Sequence, residues 1–78
     1  MIHVQVTLEF EADSLGPHEI LTHSFVISPW FASDAEDAHA KVLTLMATQE
    51  YFELPEEGPM GVVLVDTTTV RDVVVWDD

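Results

Sequence analysis

Residues 2–11 alternate without a break. Ile2, Val4, Val6, Leu8 and Phe10 fall on one side of an extended chain, and His3, Gln5, Thr7, Glu9 and Glu11 fall on the other. Successive side chains of a strand point to opposite faces, so a period of two predicts a strand with one face buried and one face wet. The remaining elements are read as what this strand pairs with and what covers its apolar face.

Asp13-Ser14-Leu15-Gly16-Pro17 carries the residues of a turn, and a second strand is expected from Glu19 to Ser28, forming an antiparallel hairpin with the first. Leu21, His23, Phe25 and Ile27 share one face of it. Pro29 ends the strand, since it cannot donate a ladder hydrogen bond. Ser33 is a good helix N-cap, and Glu36 three residues later completes a capping-box pattern. Asp34, Glu36 and Asp37 also place negative charge at a helix start, where the dipole favours it. Ala35, Ala38, Val42, Leu45 and Met46 form an apolar stripe at helical spacing, which predicts a helix from Asp34 to Tyr51 that stops before Pro55. After the breaker-rich, acidic loop Leu54-Pro55-Glu56-Glu57-Gly58-Pro59, strands are expected over Gly61–Val65 and Val70–Trp76. Asp66-Thr67-Thr68-Thr69 fits either a turn or a continuation of the strand before it. The sum is a single α+β domain over residues 1–78, of ββαββ order, with an antiparallel sheet and one helix packed on one of its faces.

The last two strands do not alternate. Val62, Val63, Leu64 and Val65 run together, as do Val73, Val74, Val75 and Trp76. Such runs place apolar side chains on both faces of a sheet, and one helix covers only one face. Val63, Val65, Val73 and Val75, with Val26, are therefore candidates for an interface, which a homodimer or another protein would bury. The alternative is cover from within, by Trp30, Phe31 and the 54–60 loop.

Charge sets the partner class. Fifteen Asp and Glu face only Lys41 and Arg71, a formal net charge of −13. Regular apolar patterning, 47% hydrophobic residues and a mean hydropathy of +0.19 argue against disorder as the reason. Surface scaling gives roughly 4,700 Å² for a folded chain of this mass, or one net charge per ~360 Å², against about one per ~110 Å² for duplex DNA treated as a cylinder of ~10 Å radius. Direct nucleic-acid binding is disfavoured, because an anionic protein adds counterions instead of releasing them, and an anionic membrane is disfavoured by the same sign. A basic protein surface is the expected partner. Glu50, Glu53, Glu56 and Glu57 bunch around the helix end and the following loop, and Asp34, Glu36 and Asp37 form a second group; these seven are the candidate partner-binding residues. Glu50, Glu53 and Glu57 lie near a helix carboxyl end, where the dipole disfavours them. A locally unfavourable choice of that kind points to function.

Other chemistry finds no foothold. There is no cysteine, hence no disulfide framework, thiol nucleophile or cysteine zinc site. His3, His18, His23 and His39 show no metal-ligand spacing; three read as surface residues and His23 as a core or edge histidine. The acids lack the glycine and closing glutamate of a calcium loop. No serine lies in a nucleophile elbow, and Gly16, Gly58 and Gly61 make no phosphate loop. The expectation is a binding protein, not an enzyme, with no metal and no cofactor. The absence of cysteine, of a span-length apolar run and of a leader pattern fits a cytoplasmic location.

In length, charge, lack of cysteine and sheet-plus-helix plan, the chain resembles the small acidic proteins that phages direct against bacterial defence, the DNA mimics and anti-CRISPR inhibitors. The resemblance implies a host-cytoplasmic inhibitor whose acids occupy a basic channel built for phosphates on a surveillance complex or restriction enzyme. The helix opening Ser33-Asp34-Ala35-Glu36-Asp37-Ala38 after an alternating hairpin is also similar to small antitoxin domains. That likeness implies a protein-binding or adaptor module instead.

Overall fold

The alternating segment becomes the middle of a sheet. Strands β1 (Ile2–Glu11), β2 (His18–Val26) and β5 (Val70–Asp77) form a three-stranded antiparallel sheet of order β2-β1-β5. The computed structural model describes residues 1–11, 18–58 and 61–78; the turn expected over Asp13–Pro17 lies outside them. Val4 stands opposite Phe25 of β2 and Val75 of β5, and Val6 opposite His23 and Val73. Opposed residues of an antiparallel pair share a face, so the inward phase of β1 fixes that of both neighbours. Ile2, Val4, Val6 and Phe25 are buried, with Val73 and Val75 packed against them.

Helix α1 (Ala35–Thr48) and a separate two-stranded antiparallel sheet, β3 (Tyr51–Pro55) with β4 (Val62–Asp66), complete the same core. Ala38 and Val42, one helical turn apart, are fully buried. Phe52 faces Val65, and Leu54 faces Val63, across the β3–β4 ladder. The two sheets are joined at their ends: Ile27 bridges Glu56, Ser28 N–H donates to Pro55 O at 2.7 Å, and Glu57 N–H donates to Val26 O at 2.9 Å.

The chain is thus α+β with antiparallel sheets and one helix, but its order is ββαβββ and its strands divide between two sheets. The departure from ββαββ comes from residues 51–55. Tyr51 and Glu53 are exposed while Phe52 and Leu54 are buried, a period of two that four residues ahead of a proline disclose poorly. Between the helix expected to reach Tyr51 and the loop expected from Leu54 lies a strand that takes in both ends, and β4 pairs with it and not with the main sheet. The helix stops at Thr48, where Gln49 turns extended and donates its N–H to Leu45 O at 2.8 Å.

The cap also lies one residue later than expected. Asp34, with extended backbone, is the N-cap; its Oδ1 accepts from Asp37 N–H at 2.8 Å, and Asp37 Oδ2 in turn accepts from Ser33 N–H at 3.1 Å. The reciprocal logic of a capping box is kept, with aspartates in both roles. Thr67–Thr69 forms a 3-10 turn, started by Asp66 Oδ1, which accepts from Thr68 N–H at 3.0 Å and from its hydroxyl at 2.8 Å. That turn leads the chain from β4 into β5.

Pairing of β1 with β5 ends at Leu8↔Val70, whereas pairing with β2 continues to Glu11↔His18. The β1–β2 hairpin therefore projects as a two-stranded ribbon, and the body measures 43 × 25 × 20 Å. Leu21 and His23 lie on the core-facing side of this ribbon but are exposed, with the His23 ring tilted against Phe25 at 5.5 Å.

Packing fixes the cost of truncation. Leu54→Ala removes a fully buried side chain and is expected to lower unfolding free energy by about 2–5 kcal/mol in urea titrations. Leu64→Ala, on a side chain 68% exposed, should stay within about 0.5 kcal/mol of wild type.

Candidate partner-binding surface

No charged or polar residue is buried among the described residues, so the acids lie at the surface or its margins. Strand β3 runs back alongside α1. Its start is tied to the turn before β5, where Thr67 N–H donates to Glu50 O at 2.9 Å and Thr67 Oγ1 to Gln49 O at 2.7 Å. At its other end, Glu57 lines the same depression as Ser33, Met1 and Asp77.

This path spreads the seven candidate acids along the body instead of bunching them. Ser33, whose N–H binds Asp37, lines one depression with Glu57 and Asp77, so the helix start shares its end of the body with Glu57 and the chain's last residues. Glu50 lies beyond the opposite end of the helix, about 21 Å away at 1.5 Å per residue over fourteen residues. Glu53 sits between them on the outer side of β3, with Glu56 half-buried at the bridge to Ile27. Glu36 projects on the other flank of the helix, beside β5. Asp77 and Asp78 join the acidic end because β5 is antiparallel to β1, which no local pattern discloses.

Nearly all positive charge is engaged within the fold. Lys41 Nζ donates to Phe31 O at 2.7 Å, lies 3.1 Å from Asp37 Oδ2 and stands 5.8 Å from the Phe31 ring centroid. Arg71 Nη1 lies 3.4 Å from Glu9 Oε2, and the Met1 amino group 3.2 Å from Asp77 Oδ1. Apart from these cations, His3 stacks on Trp76 at 5.2 Å with Nε2 3.0 Å from Asp78 Oδ1, outside hydrogen-bond geometry. Among the described residues, Glu19, Asp34, Glu36, Glu50, Glu53, Glu56, Glu57, Asp66 and Asp72 have no ion-pair partner. Over a surface of 5083 Å², thirteen net charges leave one per about 390 Å², close to the density expected from mass alone.

The four valines expected to form an outward apolar face point inward. Val65 is buried, and Val63, Val73 and Val75 pack against the core. The opposite phase is exposed: Val62 and Leu64 on β4, Val74 and Trp76 on β5, with Tyr51 on β3. An unbroken apolar run has no polar partner to mark its phase, so only ladder register reveals which side is out. Phe31 packs against the core beside Lys41 and Leu45 of the helix, not over the exposed sheet face, and Trp30 is 76% exposed.

Among the described residues, no three His, Asp or Glu side chains are placed to hold a metal ion, and no helix is long and apolar enough to cross a membrane. Compared with known proteins, the chain matches no family model, and no curated protein or solved structure shows significant similarity to it.

The Asp37 carboxyl has a perturbed pKa. The Ser33 backbone N–H, then the Lys41 ammonium, hold Asp37 below the ordinary aspartate range. A depressed folded-state pKa stabilises the fold above the unfolded value, and that contribution is lost as pH falls through the folded one. Asp37→Asn should therefore be less stable than wild type at neutral pH. The gap should close on acidification below the ordinary aspartate range, as followed by thermal unfolding across a pH series.

Proposed function

We propose that this chain is a protein-binding inhibitor whose acidic body occupies a cationic groove built for nucleic acid, in the manner of the phage anti-defence proteins it resembles in type. The observation that supports the reading is a charge spacing. Asp34, Asp37, Glu57, Glu53 and Glu50 lie along the roughly 21 Å of the fourteen-residue helix, one carboxylate per ~4 Å, beside one phosphate per ~3.4 Å along a single strand of duplex DNA. The acids are strung from Asp34, Asp37 and Glu57 through Glu53 to Glu50, and the basic residues are held in local pairs. A groove that tracks a phosphate backbone meets a comparable line of charge on this surface. The 25 × 20 Å cross-section is that of a slender body able to lie lengthwise in such a groove.

Opposite charge steers association and makes it sensitive to salt. Apolar contact from Tyr51 and Leu64, exposed on either side of Glu53, adds a component that salt does not screen. The inhibition is steric.

Competition against bound DNA tests the reading. A short fluorescent duplex held by purified restriction enzymes or RNA-guided surveillance complexes should be displaced by the chain, as read by anisotropy. The chain's own affinity for the complex, titrated without DNA, should weaken at least tenfold between roughly 50 and 200 mM salt, and Glu53→Lys with Glu57→Lys should weaken both binding and displacement. Retention of the duplex throughout, or direct binding indifferent to salt, overturns the proposal.

A further inference from the structure

The free edge of β5 is the feature that the acidic surface alone leaves unexplained. Among the described residues, β5 is the last strand of its sheet and pairs only with β1. Sheet edges expose unpaired N–H and C=O groups, and proteins usually guard them with lysine, proline, a bulge or a covering loop. From Asp72 to Asp77 the strand reads Asp-Val-Val-Val-Trp-Asp, with no lysine, proline or glycine. Its ladder with β1 is regular from Ile2↔Asp77 to Thr7↔Asp72, the one irregularity falling beyond, between Thr7 and Leu8. The result is a straight, six-residue edge with Val74 and Trp76 exposed on its outer face.

A groove of about 300 Å³ runs along the inner side of this edge, lined by Ala35, Glu36 and His39 of the helix and by Val73, Val74 and Val75. Its floor is apolar and its rim carries the unpaired Glu36. Asp72 and Asp77 stand at the two ends of the edge. Arg71, the one cation of the strand, is turned to Glu9 on β1.

We infer that the β5 edge is a docking strip for an extended segment of the partner bearing Lys or Arg among β-branched residues, which adds to the sheet as a fourth strand. Main-chain hydrogen bonds to β5 hold it, apolar side chains enter the groove over Val73 and Val75, whose rim carries Glu36, and basic side chains on the alternate face meet Asp72, which stands in the outward phase opposite Thr7. This rests on the reading that the partner is basic, and it adds the place and the backbone geometry of contact. A second copy is the poorer occupant. The helix packs chiefly over β5, so a copy joined edge to edge would bring its own helix within about one or two strand spacings of ~4.8 Å, whereas helices pack at 8–10 Å. It would also place −13 against −13.

The test uses the intact chain and a synthetic octapeptide of alternating arginine and valine, followed by NMR hydrogen exchange and chemical shifts. Added-strand binding protects amides between Asp72 and Trp76. Methylating alternate peptide nitrogens in one phase should weaken binding at least about tenfold, while the other phase is tolerated, because an added strand bonds through one edge only. Glu36→Lys with Asp72→Lys, both at exposed positions, should weaken it by a similar factor. Protection elsewhere on the chain, or equal binding by both methylated peptides, overturns the inference. Ready disulfide dimerisation of Val74→Cys in a chain that has no other cysteine also overturns it, by assigning the edge to a second copy. Salt-sensitive displacement of duplex DNA without peptide addition at β5 would remove only this strip. Peptide addition without displacement would remove the inhibitor reading and leave the strip in place.

Discussion

The pairing of β1 with both of its neighbours is the constraint from which the rest of this structure follows. Val4 is fully buried and sits between Phe25 and Val75, so one strand sets the inward phase for a whole sheet. Burying an apolar side chain of this size contributes about 1.5–3 kcal/mol relative to leaving it exposed. Val4, Val42, Ile27 and Leu54 are the largest side chains removed completely from water, and they come from β1, the helix, the segment after β2, and β3. A core assembled that way requires no buried charge, which leaves the surface free to be as acidic as solubility and function permit.

That acidity strains the fold at identifiable places, and neutral hydrogen bonds relieve it. The helix has no basic residue in its last turn, and Glu50 follows its end, where the dipole disfavours an anion. Thr67 compensates by binding the Gln49 carbonyl through its hydroxyl and the Glu50 carbonyl through its N–H. At the other end, Asp34 and Asp37 answer exposed N–H groups, and Lys41 ties the second of them to the Phe31 carbonyl. Exposed pairs of this kind contribute about 0–1 kcal/mol, so they position groups more than they stabilise the fold. The uncompensated acids repel other copies of the chain. Repulsion of that kind opposes self-association along an apolar edge such as β5.

Much of the fold was legible in the sequence wherever polar and apolar residues contrast. The contrast in β1 gave its bounds and its inward face, and the spacing of Ala38, Val42 and Leu45 gave the inner side of the helix. The cap was off by one residue because Ser33 and Asp34 are both good caps, and only the Asp34 side chain reaches the Asp37 N–H. The strand at 51–55 was missed because four alternating residues leading into a proline resemble a helix end. For the candidate surface, the sequence supplied the sign and amount of charge but read the acids as compact clusters. The return of β3 along the helix instead spaced Glu50, Glu53 and Glu57 out.

By itself the sequence determined that this chain has a sheet with one wet face, a capped amphipathic helix and a surplus of negative charge, because each is written in local periodicity or composition. Tertiary structure alone decided which valines face out, since a run such as Val73-Val74-Val75 is the same in either phase until a neighbouring strand sets its register. It also decided that the chain's two ends carry Asp77 and Asp78 to the helix start, and that β5 lies at an edge. Those outcomes depend on pairing between residues about seventy positions apart, and no local pattern encodes them.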